Sequence, residues 1–120
     1  MIQGSTFTDS TTGIAADPTI AAKTSTIEVW KALVADNVTG VQSGANAGAP
    51  TFVSLISSLI TGNTTGVQAT ANPVYCSDNT ITRNTTGLSL VTGGTGQTAL
   101  DNAVANNTGS AAFTSTVPKL

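Results

Sequence analysis

The segment whose residue types and spacing come nearest to a ligand site is Gly93-Gly94-Thr95-Gly96-Gln97-Thr98, which follows the β-prone run Leu88-Ser89-Leu90-Val91. A glycine loop between a strand and a helix can cradle phosphate with its backbone N–H groups. A P-loop needs Gly, four residues, then Gly-Lys-Thr; here Val91 stands at the first glycine position and Gln97 at the lysine position, so the cationic contact is missing. Gly94-x-Gly96-x-x-Ala99 satisfies the relaxed dinucleotide pattern, yet the residues after it supply neither a second strand and helix nor an acid for the ribose. The expectation is a glycine-rich connection and no cofactor.

The other reactive side chains are sparse. There is one cysteine, Cys76, and no histidine, so the thiol has no disulfide partner, no imidazole base and no zinc co-ligand; it reads as a small buried apolar residue. The six acids stand singly along the chain, with no local pair to drive two pKa values apart. Lys23, Lys31, Arg83 and Lys119 are scattered and outnumbered by acids, which argues against nucleic-acid binding. Thr-x-Thr pairs at Thr6/Thr8, Thr24/Thr26, Thr80/Thr82 and Thr114/Thr116 suggest an ice-binding surface as a minor alternative, but their irregular spacing is expected to prevent a flat array.

A chain with so little chemistry must act through its surfaces. Only 8% of its residues are charged and 4% aromatic, against about 25% charged in an average globular protein. Thr, Ser, Asn, Ala and Gly make up well over half of it, and the net charge of -2 is too small to hold it open by self-repulsion. With few large apolar residues its own core is modest, so burial between copies is expected, in a homo-oligomer. The first residues do not resemble a secretory signal, and the most apolar stretch, Phe52 to Ile60, is about half the length of a membrane span.

The elements expected to carry these residues form one domain, 1–120, with 1–16 as an extended N-terminal arm or edge strand. Asp17-Pro18 looks like a helix start, and Ile20, Ile27, Trp30 and Val34 suggest a helix to about Asp36. Phe52, Leu55, Ile56, Leu59 and Ile60 follow helical spacing between Pro50 and Gly62. Val74-Tyr75-Cys76, Thr80-Ile81-Thr82 and Leu88 to Val91 read as strands, a short helix is expected over Thr98 to Ala105, and a strand over Ala111 to Val117. The fold class is therefore α+β, two or three short helices with a small antiparallel sheet, and the alternative is a Thr/Asn-rich β-solenoid. Trp30, Val34, Phe52, Leu55 and Leu59 are the candidate subunit-contact residues.

A repeat runs through these elements. Shifting the chain by about 26 residues lays Val29 on Leu55, Trp30 on Ile56, Leu33 on Leu59 and Val34 on Ile60, then Asn37-Val38-Thr39-Gly40-Val41-Gln42 on Asn63-Thr64-Thr65-Gly66-Val67-Gln68. The turn recurs near Thr11-Thr12-Gly13, Asn84-Thr85-Thr86-Gly87 and Asn106-Asn107-Thr108-Gly109. Each copy suggests Asn bonding its own backbone and Gly supplying a positive φ. Asn37, Asn63, Asn84 and Asn106 lie in Asn-x-Thr sequons and are read as turn residues rather than glycan sites.

Leu90-Val91-Thr92-Gly93-Gly94-Thr95-Gly96-Gln97-Thr98-Ala99-Leu100, with Asn106-Asn107-Thr108-Gly109-Ser110-Ala111-Ala112, resembles a repeat of bacteriophage fibre and appendage proteins. The resemblance covers about a quarter of the chain. It implies a non-enzymatic virion surface protein of the fibre, decoration or cement type, commonly trimeric, that self-assembles and binds other virion proteins. The alternative is a subunit of an extracellular filament or adhesin, partnered by other filament proteins.

Overall fold

A computed structural model describes residues 1–17, 24–44 and 50–119. In it the chain winds through successive coils, each adding one strand to each of three sheets. The first coil holds β1 (Ile2–Gln3), β2 (Thr6–Thr8) and β3 (Thr12–Ala16); the second β4 (Ser25–Trp30), β5 (Leu33–Ala35) and β6 (Thr39–Ser43). The third holds β7 (Thr51–Ile56), β8 (Leu59–Thr61) and β9 (Thr65–Thr70); the fourth β10 (Pro73–Ser77), β11 (Thr80–Thr82) and β12 (Thr86–Val91). Then come β13 (Thr95–Thr98), β14 (Ala103–Ala105) and, opening the next turn, β15 (Ser115–Thr116). Sheet A is ordered β1-β4-β7-β10-β13-β15, sheet B β14-β11-β8-β5-β2 and sheet C β12-β9-β6-β3. Every pairing among them is parallel. This is a parallel β-solenoid.

The α+β expectation, with its antiparallel sheet, is thereby corrected. The helix expected over Asp17 to Asp36 is β4 and β5 where it is described, its residues 18–23 lying outside the described residues. The helix over Phe52 to Ile60 is β7, a corner at Ser57-Ser58, and β8. Its helical spacing arose from two strands read across a corner: Val53, Leu55 and Ile60 face inward, while Phe52, Ile56 and Leu59 are apolar residues on the outside. The helix over Thr98 to Ala105 is the end of β13, a corner and β14, and of the strand expected over Ala111 to Val117 only β15 forms. Residues 1–16, expected as an extended arm or edge strand, form the first coil, whose three strands are edge strands paired to β4, β5 and β6.

The core is a set of side-chain columns running up the stack. Val29 pairs with Leu55, Leu55 with Cys76 and Cys76 with Thr98; Phe7 with Val34, Val34 with Ile60, Ile60 with Ile81 and Ile81 with Val104; Ile14 with Val41, Val41 with Val67 and Val67 with Leu88. Burying a Val, Leu or Ile contributes about 1.5–3 kcal/mol. Val29, Val34, Val41, Val53, Leu55, Ile60, Val67, Val74 and Ile81 are fully excluded from water. Ile2 and Phe7 at one end of the columns, and Leu90, Val104 and Phe113 at the other, are only partly covered.

Two corners repeat in every coil. Between sheets B and C a left-handed residue precedes the ladder position: Asp9, Asp36, Gly62, Arg83 and Asn106, at φ of 56, 57, 69, 56 and 57°. The next residue, Ser10, Asn37, Asn63, Asn84 or Asn107, belongs to a hydrogen-bonded ladder. Asn37 N–H donates to Asn63 Oδ1 (2.9 Å), Asn63 N–H to Asn84 Oδ1 (3.0 Å) and Asn84 N–H to Asn107 Oδ1 (2.9 Å). Each of these Asn Nδ2 groups donates back to a carbonyl of the preceding coil, Asn63 to Val34 (3.1 Å), Asn84 to Ile60 (3.2 Å) and Asn107 to Ile81 (2.9 Å). The ladder uses Asn107, one residue on from the Asn106 that the sequon pattern pointed to.

The motif glycines have a different job from the one expected. Gly13, Gly40, Gly66 and Gly87 do not have positive φ; they sit where the neighbouring coil leaves no room for a Cβ. A Cβ on Gly40 would lie 2.6 Å from Gly66 O, and one on Gly66 would lie 2.7 Å from Gly87 O. Between sheets A and B a second ladder runs through Ala32, Ser58, Asn79 and Asn102: Ala32 N–H donates to Ser58 Oγ (3.1 Å), Ser58 N–H to Asn79 Oδ1 (2.9 Å) and Asn79 N–H to Asn102 Oδ1 (3.0 Å). The third corner, from sheet C to sheet A, is 71–72 between β9 and β10 and 92–94 between β12 and β13; the two earlier connections include residues 18–23 and 45–49, outside the described residues.

Candidate functional site

Strand alternation decides where each expected contact residue points. Val34 and Leu55 lie inside the columns and are fully buried, so neither forms a lateral surface. Trp30, 42% exposed, and Phe52 project from the outer side of sheet A, while Leu59, 39% exposed, projects from sheet B. The five do not make one patch.

Sheet A does build a cleft around Trp30. Val29 points into the core, so Glu28 and Trp30 on either side of it point outward. The register places Trp30 between Gln3 and Ile56, and Ile56 next to Ser77. The strand then turns at Ser57 and Asp78, both left-handed (φ 50 and 55°), which brings their side chains to the rim. Met1 and Lys119 complete a cavity of about 320 Å³ lined by Glu28, Trp30, Ile56, Ser57, Ser77 and Asp78.

Its polar rim is organised. Ser57 Oγ donates to Asp78 Oδ2 (2.8 Å), and the Asp78 N–H donates to Asp101 Oδ1 (2.8 Å). Asp101 Oδ2 accepts from Ser77 Oγ (3.0 Å) and pairs with Lys119 Nζ at 3.1 Å. The Asp78 N–H, followed by Lys119 and Ser77, holds the Asp101 carboxyl below the usual carboxylate range, and Asp101 in turn raises the Lys119 ammonium. Sequence reading dispersed these groups because Glu28, Asp78, Asp101 and Lys119 are far apart in the chain. Continuing the repeat into the next coil with a step of 21 residues in place of 26 would have put Trp30, Ile56 and Ser77 side by side.

Sheet B offers a different face. Its outward positions form two rows, Thr6-Leu33-Leu59-Thr80-Ala103 and Thr8-Ala35-Thr61-Thr82-Ala105, with neighbours about 4.8 Å apart along a row. Thr6/Thr8 and Thr80/Thr82 share this sheet face but stand apart, with Leu33/Ala35 and Leu59/Thr61 on the two strands between them. Thr26 and Thr116 belong to sheet A.

The remaining candidates carry no site geometry. Gly93 and Gly94 form the corner before β13, with Gly94 N–H bonded to Val91 O (2.9 Å), and Gly96 is a strand residue packed against Leu88 and Phe113. Cys76 is fully buried, and desolvation pushes its thiol up to about 12. Among the described residues no cluster of three or more His, Cys, Asp or Glu is placed to hold a metal, and no helix is long and apolar enough to cross a membrane. In comparisons with known proteins, no family model, curated protein or solved structure matches the chain.

Proposed function

We propose that this protein is a non-enzymatic structural subunit of an extracellular filament or adhesin, which associates with copies of itself by stacking coils end to end. The observation that carries the reading is the incomplete burial at both ends of the core columns. Ile2 and Phe7 belong to the first coil, and Val104 and Phe113 lie at the opposite end of the stack. Among the described residues the first coil pairs on one side only, so β1, β2 and β3 each present a backbone edge that no described strand covers. Such edges are templates for a further strand. At the opposite end Val104, Phe113 and Thr114 to Thr116 line a concavity of about 430 Å³. A nearly uncharged surface adds little repulsion to the approach of two copies.

A virion surface protein is the second reading, favoured by the sequence resemblance of Leu90 to Leu100. In the fold that segment supplies the end of β12, a corner and β13, and makes no shaft unit of its own.

Sedimentation across a wide concentration range, with electron microscopy of the same samples, tests the proposal. Linear oligomers that Val104→Lys abolishes, with circular dichroism unchanged, are expected. A species that stays monomeric at every concentration would overturn it.

A further inference from the structure

We infer that the sheet A cleft at Trp30 is a binding subsite for a neutral oligosaccharide. The inference goes beyond the structural role and does not depend on it, since a monomer could hold the sugar.

The chemistry of the cleft selects the ligand. Trp30 presents an exposed ring beside the aliphatic Ile56, an apolar platform of the kind that packs against the C–H face of a pyranose ring. Around it stand acceptors that suit sugar hydroxyls. Glu28 is exposed on the same outward side of β4, and Asp78 is held by Ser57 through Oδ2, which leaves Oδ1 to accept. A volume of about 320 Å³ is within the range of small-ligand sites, about 300–1,000 Å³, and suits one or two sugar rings.

Charge excludes the anionic alternatives. At the rim Lys119 is paired with Asp101, and of the remaining charged lining groups the two carboxylates Glu28 and Asp78 outnumber the Met1 ammonium, so the field is weakly negative. Phosphates, uronates and sialylated ends would be repelled, whereas hexoses and N-acetylhexosamines would not. The site is also built rather than incidental. Two successive left-handed corner residues, Ser57 and Asp78, are bonded to each other on the rim, and Asp78 is anchored in turn through its N–H to Asp101.

Trp30 is the only tryptophan in the chain, so its emission reports the cleft directly. The experiment titrates the intact protein with triacetylchitotriose and with cellotriose, using trigalacturonate as the anionic counterpart. The expected result is a saturable change with at least one neutral trisaccharide, at a Kd on the order of 1 mM, and binding of trigalacturonate about ten-fold weaker or undetectable. By calorimetry, Trp30→Ala is expected to weaken binding about ten-fold and Asp78→Asn several-fold, with Trp30→Tyr retaining most of it and circular dichroism unchanged. The inference is overturned if neither neutral trisaccharide gives a saturable response up to about 10 mM, if trigalacturonate binds equally well, or if folded Trp30→Ala binds as the parent does. Sedimentation of the same samples reports assembly separately, so loss of one reading is distinguishable from loss of the other.

Discussion

Replacing Asn63 with alanine tests whether the Asn ladder holds the coils together. Asn63 is 2% exposed and sits in the middle of the stack. Its Oδ1 accepts from Asn37 N–H (2.9 Å) and Asn37 Nδ2 (3.1 Å), and its Nδ2 donates to Val34 O (3.1 Å), Thr61 O (3.1 Å) and Asn84 Oδ1 (3.0 Å). Asn37 Nδ2 keeps Phe7 O and Ala35 O as partners, so the main casualty is the buried Asn37 N–H, with Val34 O losing one bond. A buried donor without a partner costs about 1–3 kcal/mol, and the lost Val34 contact brings the expected total to about 2–4 kcal/mol. Asn107→Ala at the end of the same ladder removes acceptors for Asn84 at a part-buried site, where water can substitute, and should cost about 1 kcal/mol. Urea titration followed by far-UV circular dichroism reads both. With m of about 1–3 kcal/mol/M, Asn63→Ala should lower the midpoint by roughly 1–2 M and Asn107→Ala by much less. Equal, small shifts for the two variants would refute the claim that the ladder is energetically central.

Gly66→Ala should destabilise by about 1–3 kcal/mol, because its Cβ would meet Gly87 O at 2.7 Å and Asn84 Nδ2 at 2.9 Å, whereas Gly109→Ala, with open space around it, should stay within about 0.5 kcal/mol in the same titration. Ser54→Ala should raise the midpoint by the equivalent of about 1 kcal/mol, since the Ser54 hydroxyl is buried and has no hydrogen-bond partner among the described residues. Cys76 should resist iodoacetamide at mildly alkaline pH in the folded protein and react only on unfolding, as its buried thiol is pushed up to about 12. The depressed pKa of Asp101 gives stability that is fully present above its unfolded value of about 3.9 and lost as pH falls through the lower folded one. Melting temperature against pH should therefore separate Asp101→Asn from the parent at neutral pH and bring the two together in strong acid.

The repeat was the most legible part of the fold. Aligning Val29 with Leu55, Trp30 with Ile56, Leu33 with Leu59 and Val34 with Ile60 gave the strand register of sheets A and B residue by residue. What it did not give was secondary structure, because six-residue strands broken by tight corners carry no long period-two run. Phe52, Ile56 and Leu59, apolar but outward, filled the gaps and imitated a helical face. The solenoid alternative needed one further step: a repeat in which every Asn-x-Thr-Gly follows a short apolar alternation is a coil, with Asn turned inward. The Trp30 cleft was illegible for another reason. Its carboxylates come from separate coils and meet only because Ser57 and Asp78 stack in the same corner.

The Asn ladder also has a direction. Each oxygen accepts from the coil before it, and each of Asn63, Asn84 and Asn107 sends a hydrogen bond back to a carbonyl of that coil. One end of the stack therefore presents Ser10, whose N–H is already donated to Asn37, and the other presents Asn107, whose side chain already reaches back into the stack. The two ends are not interchangeable. Continuing the parallel ladder from one copy to the next requires a head-to-tail joint, an arrangement that does not close on itself by a two-fold axis. A filament grown this way has a barbed and a pointed end in the kinetic sense, and a soluble fragment ending in a mismatched coil would cap one end while leaving the other free to grow.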